Sequence, residues 1–191
     1  MKRNVVFVLG VERSGSTFLG NLIAQANEVN AIGELPHVHR NPESRKCGCG
    51  LLLKECPVWN GLAGNGDYIT LAKLPLIMRN RSAFLYSFRF LRKLLLNNKS
   101  SMEYIDTYIS AYDHFSNRTG SDVVVDTAKN FTIPYYLFSR ADINLKVVFI
   151  NRSAVGIEDS LSKRKVAGHK DYRFHNFLLT IIKWKVAKFY F

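Results

Sequence analysis

A chain of 191 residues can bury one respectable core, so a single domain over 1–191 is the default, and its hydrophobic fraction of 47% and charged fraction of 22% are ordinary for a globular protein. The charge is not ordinary: 27 Lys+Arg against 15 Asp+Glu gives +12, a balance that suits anionic ligands, nucleic acid or an anionic membrane surface. With no arginine-rich tail, zinc-finger spacing or RNA-binding aromatic signature, the sequence argues against nucleic acid. No run of about 20 apolar residues is present, so no membrane span is expected. The opening MKR and its short apolar run lack a small-residue cleavage site, and a cytoplasmic protein is expected.

The run VVFVLG at 5–10 is apolar and rich in β-branched residues, which predicts a buried strand. It breaks at Gly10, and a helical pattern re-forms after Gly15 through Leu19, Leu22, Ile23 and Ala26. Strand, glycine-bounded loop and helix form the layout in which backbone N–H groups and a helix N-terminus hold an anion. GVERSGST at 10–17 has the phosphate-loop spacing G-x-x-x-x-G-x-[ST], but Ser16 stands where the lysine belongs. The nearest strong cation is Arg13, a forked donor suited to a phosphate–sulfonate pair more than to the β- and γ-phosphates of ATP.

Val29 to Ile32 predicts a brief second strand that ends in Gly33 and Glu34. A carboxylate at the end of such a strand faces the ligand crevice, with His37 and His39 as rival proton acceptors nearby. Cys47, Cys49 and Cys56 follow as C-x-C-x6-C in a turn-rich stretch. Three readings stay open for them: zinc ligands completed by His37 or His39, a redox-sensitive pair, or structural thiols. Ser82 to Leu96 predicts a basic amphipathic helix, either lying on a membrane or covering the sheet. Ser100 to Glu103 reads as a capping box. Tyr104, Ile105, Tyr108, Ile109 and Tyr112 then recur at helical spacing and are expected in the core.

Asp122 to Asp126 predicts a third strand, with Lys129 just past its C-terminal end. A hydrophobic run ending in Asp also fits the magnesium-holding carboxylate of a phosphate-loop NTPase. A helix over 132–140 leads to a fourth strand, Leu145 to Ile150. Arg152 closes it, Ser153 is a ready N-cap for a helix, and Ser160 lies two turns along. The last helix runs from about Phe174 through Trp184 to Phe191 and is apolar around much of its circumference. The alternation predicts an α/β domain, with a mainly parallel sheet, its first strand central and helices on both faces.

ERSGSTFLGNLI at 12–23 resembles the 5′-phosphosulfate loop of sulfotransferases that use 3′-phosphoadenosine 5′-phosphosulfate (PAPS), in the form found in carbohydrate and bacterial members. VVDTAK at 124–129 is similar to that family's D-[ST]-[SA]-K, and Arg152 with Ser160 matches its 3′-phosphate spacing. The resemblance implies a P-loop-like three-layer sandwich that moves the sulfonate of PAPS to a hydroxyl, or less readily an amine, of a small-molecule or glycan acceptor. Arg13, Ser14, Gly15, Ser16 and Thr17 would hold the 5′-phosphosulfate, and Arg152 and Ser160 the 3′-phosphate. Lys129, with Arg13, would stabilise the developing charge, and Glu34 would take the proton, with no metal required.

Related domains continue into another strand and helix, so the chain looks short at its C-terminal end. An exposed apolar patch there, and self-association through the last helix, are expected. Two competing readings are a nucleotide kinase or NTPase with a degenerate phosphate loop, using Ser16, Thr17 and Asp126 around magnesium, and an inactive PAPS-binding protein.

Overall fold

The computed structural model describes residues 2–38, 46–62, 99–130 and 132–166. In chain order the elements are β1 (Arg3–Gly10), α1 (Ser16–Ile23), β2 (Val29–Gly33), a single turn α2 (Leu35–Val38), α3 (Lys99–Thr119), β3 (Val123–Asp126), α4 (Thr132–Phe138), β4 (Ile143–Ile150) and α5 (Ala154–Val166). The expected helices over 82–96 and 174–191 lie outside the described residues, as do His39 and the side chain of His37.

Four strands form one sheet in the order β2-β3-β1-β4, and all three pairings are parallel. β1 is central, as its unbroken apolar run predicts, because a parallel strand covered on both faces has no polar side to alternate with. The chain leaves β1 towards one edge and later returns past it to the other. Right-handed crossovers therefore place the helices on both faces and open a crevice at the strands' C-terminal ends.

Alternation along the strands shows the two faces. Val5, Phe7, Leu9 and Val124 pack with Tyr104, Ile105, Tyr108 and Tyr112 of α3 in one continuous core. Val125, of the opposite parity, faces α1, since a Cβ placed on Gly20 would meet the methyl of Thr127 at 2.3 Å and Val125 at 3.7 Å. The tyrosine stripe of α3 is core, as its spacing predicts. Leu22, expected on the apolar side of α1, is exposed together with Phe18. Helical spacing alone does not say which arc of a short helix the sheet takes up.

β4 begins two residues before its expected start, at Ile143, where Arg3 of β1 pairs with it. At this N-terminal edge of the sheet Arg3 forms ion pairs with Asp113 and with Asp142, the latter at 2.8 Å. Arg140 adds bonds to Asp106 at 2.8 Å and Asp142 at 3.1 Å. Among the described residues no further strand lies beside β4, and no helix is long and apolar enough to cross a membrane.

One constraint ties the sheet to the loop above it. A Cβ on Gly10 would lie 2.5 Å from the Ser14 hydroxyl, 2.7 Å from the Ile150 side chain and 2.9 Å from the Ile150 carbonyl. Gly10→Ala must therefore move strand backbone as well as the loop, and it should cost about 1–3 kcal/mol, the usual penalty for overpacking. Gly48→Ala, with nothing within 4 Å, should change stability by no more than about 0.5 kcal/mol. Urea titration of the two variants side by side checks this, and equal midpoints would show that β1 and β4 do not constrain Gly10.

Candidate functional site

The sheet's register sets the site. Gly10 lies opposite Ile150, while Asp126 lies opposite Phe7 and Gly33. The segments that follow each strand therefore meet at one edge, in the lateral order Glu34, 127–130, 11–15 and 151–153. Thr127 N–H donates to the Gly33 carbonyl at 3.0 Å and fixes the β2 and β3 ends together.

The loop after β1 turns tightly, with Ser14 N–H donating to the Val11 carbonyl at 3.1 Å and Arg13 at φ 67. Gly15 at φ 99 is the N-cap of α1, a left-handed conformation that a side chain would strain. It supplies no side-chain cap, so the amides of the first turn remain for an external acceptor. Ser14 and Ser16 are buried, and their hydroxyls have no hydrogen-bond partner; the Thr127 hydroxyl is in the same condition. Three buried, unpartnered hydroxyls on adjoining loops of one sheet edge are costly unless a ligand engages them. Thr17 is exposed at the mouth of this loop.

Residues far apart in sequence meet at the loop's outer side. Arg13 Nε donates to Ser160 Oγ at 3.0 Å, and Arg152 Nη1 donates to the Arg13 carbonyl at 3.1 Å. Among the described residues the Arg13 guanidinium bonds no carboxylate, which leaves its terminal nitrogens for an anion. Ser153 caps α5 as expected, accepting from Gly156 N–H at 3.1 Å, and Arg152 folds back over that first turn. The residues expected to hold the two phosphates thus meet at one corner, with Ser160 engaged by Arg13.

The other half of the site is an ion pair. Lys129 Nζ donates to Glu34 Oε1, and both side chains are largely buried. The expected proton acceptor and the expected cation are neighbours bonded to each other. Sequence reading gave each a separate task and did not foresee the contact.

Beneath Lys129 lies an arrangement that the sequence did not reveal. Asp126 is wholly buried and accepts from the Tyr108 hydroxyl at 2.5 Å, the Tyr112 hydroxyl at 2.7 Å and the Ala128 amide at 2.6 Å. Tyrosines spaced four apart on a buried stripe were the available signal, because a buried hydroxyl needs an acceptor. Burial pushes the Asp126 carboxyl up to about 6, against the downward pull of the two tyrosines and the Ala128 amide, and the Glu34 carboxylate adds to the rise. Burial, followed by the charge of Asp126, raises Tyr104, Tyr108 and Tyr112 above the ordinary tyrosine range.

The chain matches no protein-family model, no curated protein and no solved structure.

The raised Asp126 carboxyl has a definite consequence. Its folded value of about 6 lies above the ordinary 3.8, so the folded state holds this proton more tightly. That contribution to stability is complete below about pH 4 and is lost as pH rises through about 6, a swing of about 2–3 kcal/mol. Asp126→Asn cannot titrate, and it turns an amide donor towards either the tyrosines or Ala128 N–H. Denaturant midpoints at a series of pH values should therefore show wild type losing stability relative to Asp126→Asn between pH 4 and 7. Parallel curves would mean that Asp126 titrates alike in folded and unfolded chains.

Proposed function

We propose that the chain is a sulfotransferase-like protein that binds PAPS and directs its sulfonate to a hydroxyl, or less readily an amine, of a small-molecule or glycan acceptor. The observation that carries this reading is the corner where Arg13 meets Ser160 and Arg152 meets the Arg13 backbone. Positions 139 and 147 residues apart converge there, as a ligand with phosphates at both ends requires. The uncapped N-terminus of α1 and the unpartnered hydroxyls of Ser14, Ser16 and Thr127 supply the acceptor-poor, donor-rich surroundings that a phosphosulfate needs.

Bound PAPS supplies an activated sulfonate, whose transfer breaks the sulfur–oxygen bond to the 5′-phosphate, forms one to the acceptor and leaves adenosine 3′,5′-bisphosphate. Arg13 and the 14–17 loop hold the 5′ end, and Arg152 and Ser160 hold the 3′-phosphate. Lys129 turns from Glu34 towards the negative charge that gathers on the leaving oxygen. The carboxylate of Glu34, relieved of that ammonium, takes the acceptor's hydroxyl proton. Positioning and electrostatics do most of the work, as in phosphoryl transfer.

The kinase or NTPase reading has less support. Asp126, its candidate magnesium carboxylate, is occupied by two tyrosine hydroxyls and an amide inside the core.

Binding tests the reading directly. Adenosine 3′,5′-bisphosphate should bind more tightly than 5′-AMP by about 2–4 kcal/mol, the worth of a charge-assisted forked contact, and Arg152→Ala should erase the difference. Tighter binding of Mg·ATP than of the bisphosphate would overturn the assignment in favour of an NTPase. Glu34→Gln should keep bisphosphate affinity while slowing transfer roughly 10²–10⁴-fold, and Lys129→Ala should also slow it. Bisphosphate binding without any PAPS-dependent turnover would identify a binding protein instead of an enzyme.

A further inference from the structure

The three cysteines take no part in the site above, yet the fold brings them together. Lys46 and Leu52 form an isolated antiparallel bridge, and Cys47 N–H donates to the Leu51 carbonyl at 2.8 Å. Gly50 N–H donates back to the Cys47 carbonyl at 2.9 Å, closing a tight hairpin around Cys47 and Cys49. The chain then makes a helical turn in which Cys56 N–H donates to the Leu52 carbonyl at 2.9 Å, returning the third cysteine to the hairpin. The Cys49 and Cys56 sulfurs are 3.6 Å apart, and all three sulfurs lie within 4.8 Å of one another.

We propose that Cys47, Cys49 and Cys56 are three ligands of a zinc ion, with the fourth position opening to solvent on the Cys49 side. Zinc–sulfur bonds of about 2.3 Å at tetrahedral angles place sulfurs about 3.8 Å apart, so the cluster reaches zinc geometry by moving about 1 Å at most. A disulfide would use two sulfurs and leave the third packed against it, whereas zinc uses all three. All three cysteines are free thiols. Zinc entry releases the thiol protons to solvent and changes no oxidation state.

Exposure orients the site, since Cys49 is exposed, Cys47 half-buried and Cys56 buried in the main core. The ion therefore sits at the rim, clamping the hairpin to the segment that carries Trp59. The Trp59 ring packs at a tilt against Phe115 of α3, their centroids 5.8 Å apart, and the His114 ring bonds the Val58 carbonyl at 2.8 Å. Zinc at this point fastens the hairpin to the turn whose Val58 and Trp59 pack against α3. The inference does not rest on the sulfotransferase reading, and either can fail alone.

The test uses the full chain, purified under reducing conditions, loaded with zinc chloride and dialysed. Metal analysis should find about one zinc per chain, held by three thiols. Cobalt in its place should give thiolate charge-transfer absorption and the intense visible bands of a tetrahedral ion. Cys49→Ser alters an exposed side chain, so its circular dichroism should match wild type. Its zinc affinity should fall by more than the roughly 10–100-fold that loss of an outer-shell partner costs. The proposal is overturned if the reduced chain retains no zinc and gives no tetrahedral cobalt spectrum. It is equally overturned if Cys49→Ser binds zinc as tightly as wild type.

Discussion

The carboxylate of Asp126 is the interaction on which the candidate site depends. It ends β3 inside the core and takes three donors, two from α3 and one from the backbone just beyond it. The tyrosine bonds fix the helix against the sheet, and the Ala128 bond turns the chain sharply at the strand's end. That turn delivers Lys129 to Glu34 across the β2–β3 boundary. A buried carboxylate is expensive unless its lone pairs are filled. Here they are filled by groups whose positions then cannot vary independently, so the helix and the strand end behave as one piece.

The two edges of the sheet use their charges differently. At the N-terminal edge Arg3 and Arg140 are bound to Asp106, Asp113 and Asp142, partly exposed pairs that fix geometry more than they add stability. At the C-terminal edge the Arg13 guanidinium meets a serine hydroxyl, and Arg152 reaches a backbone carbonyl. The neutral Ser160 hydroxyl holds the Arg13 guanidinium in place without cancelling its field. Helix α1 presents its uncapped first turn beside Arg13, a setting that favours an anion, while Lys129 at the same edge is paired with Glu34.

Residues 46–62 extend the same core outwards. Leu53, Cys56, Trp59 and Leu62 join the tyrosines of α3 in one cluster. A change at the cysteine hairpin therefore acts on the face of α3 that supports Asp126.

Much of the framework was legible in the order of residues. The unbroken β-branched run of β1, the glycines around the 10–17 loop, and Ser153 ahead of α5 are local signals. Strand burial, left-handed turns and N-caps are decided within a few residues. The strand alternation fixed an α/β class, and the parallel sheet with β1 at its centre follows that expectation. Arg13, Glu34, Lys129, Arg152 and Ser160, singled out by strand-end position and by motif resemblance, do lie at a strand end or on the loop or helix that follows one. Sequence did not reveal who bonds whom. The Lys129–Glu34 pair spans 95 residues and the Arg13–Ser160 contact 147. Such meetings depend on the lateral order of the strands and on register, which no local pattern encodes. Asp126 shows the difference most clearly. Its sequence neighbourhood fits a metal-holding carboxylate at a strand end, and only the packing of α3 over that face decided that two tyrosine hydroxyls would occupy it. Nor did the C-x-C-x6-C spacing show that a hairpin and a helical turn would bring all three sulfurs within 4.8 Å of one another.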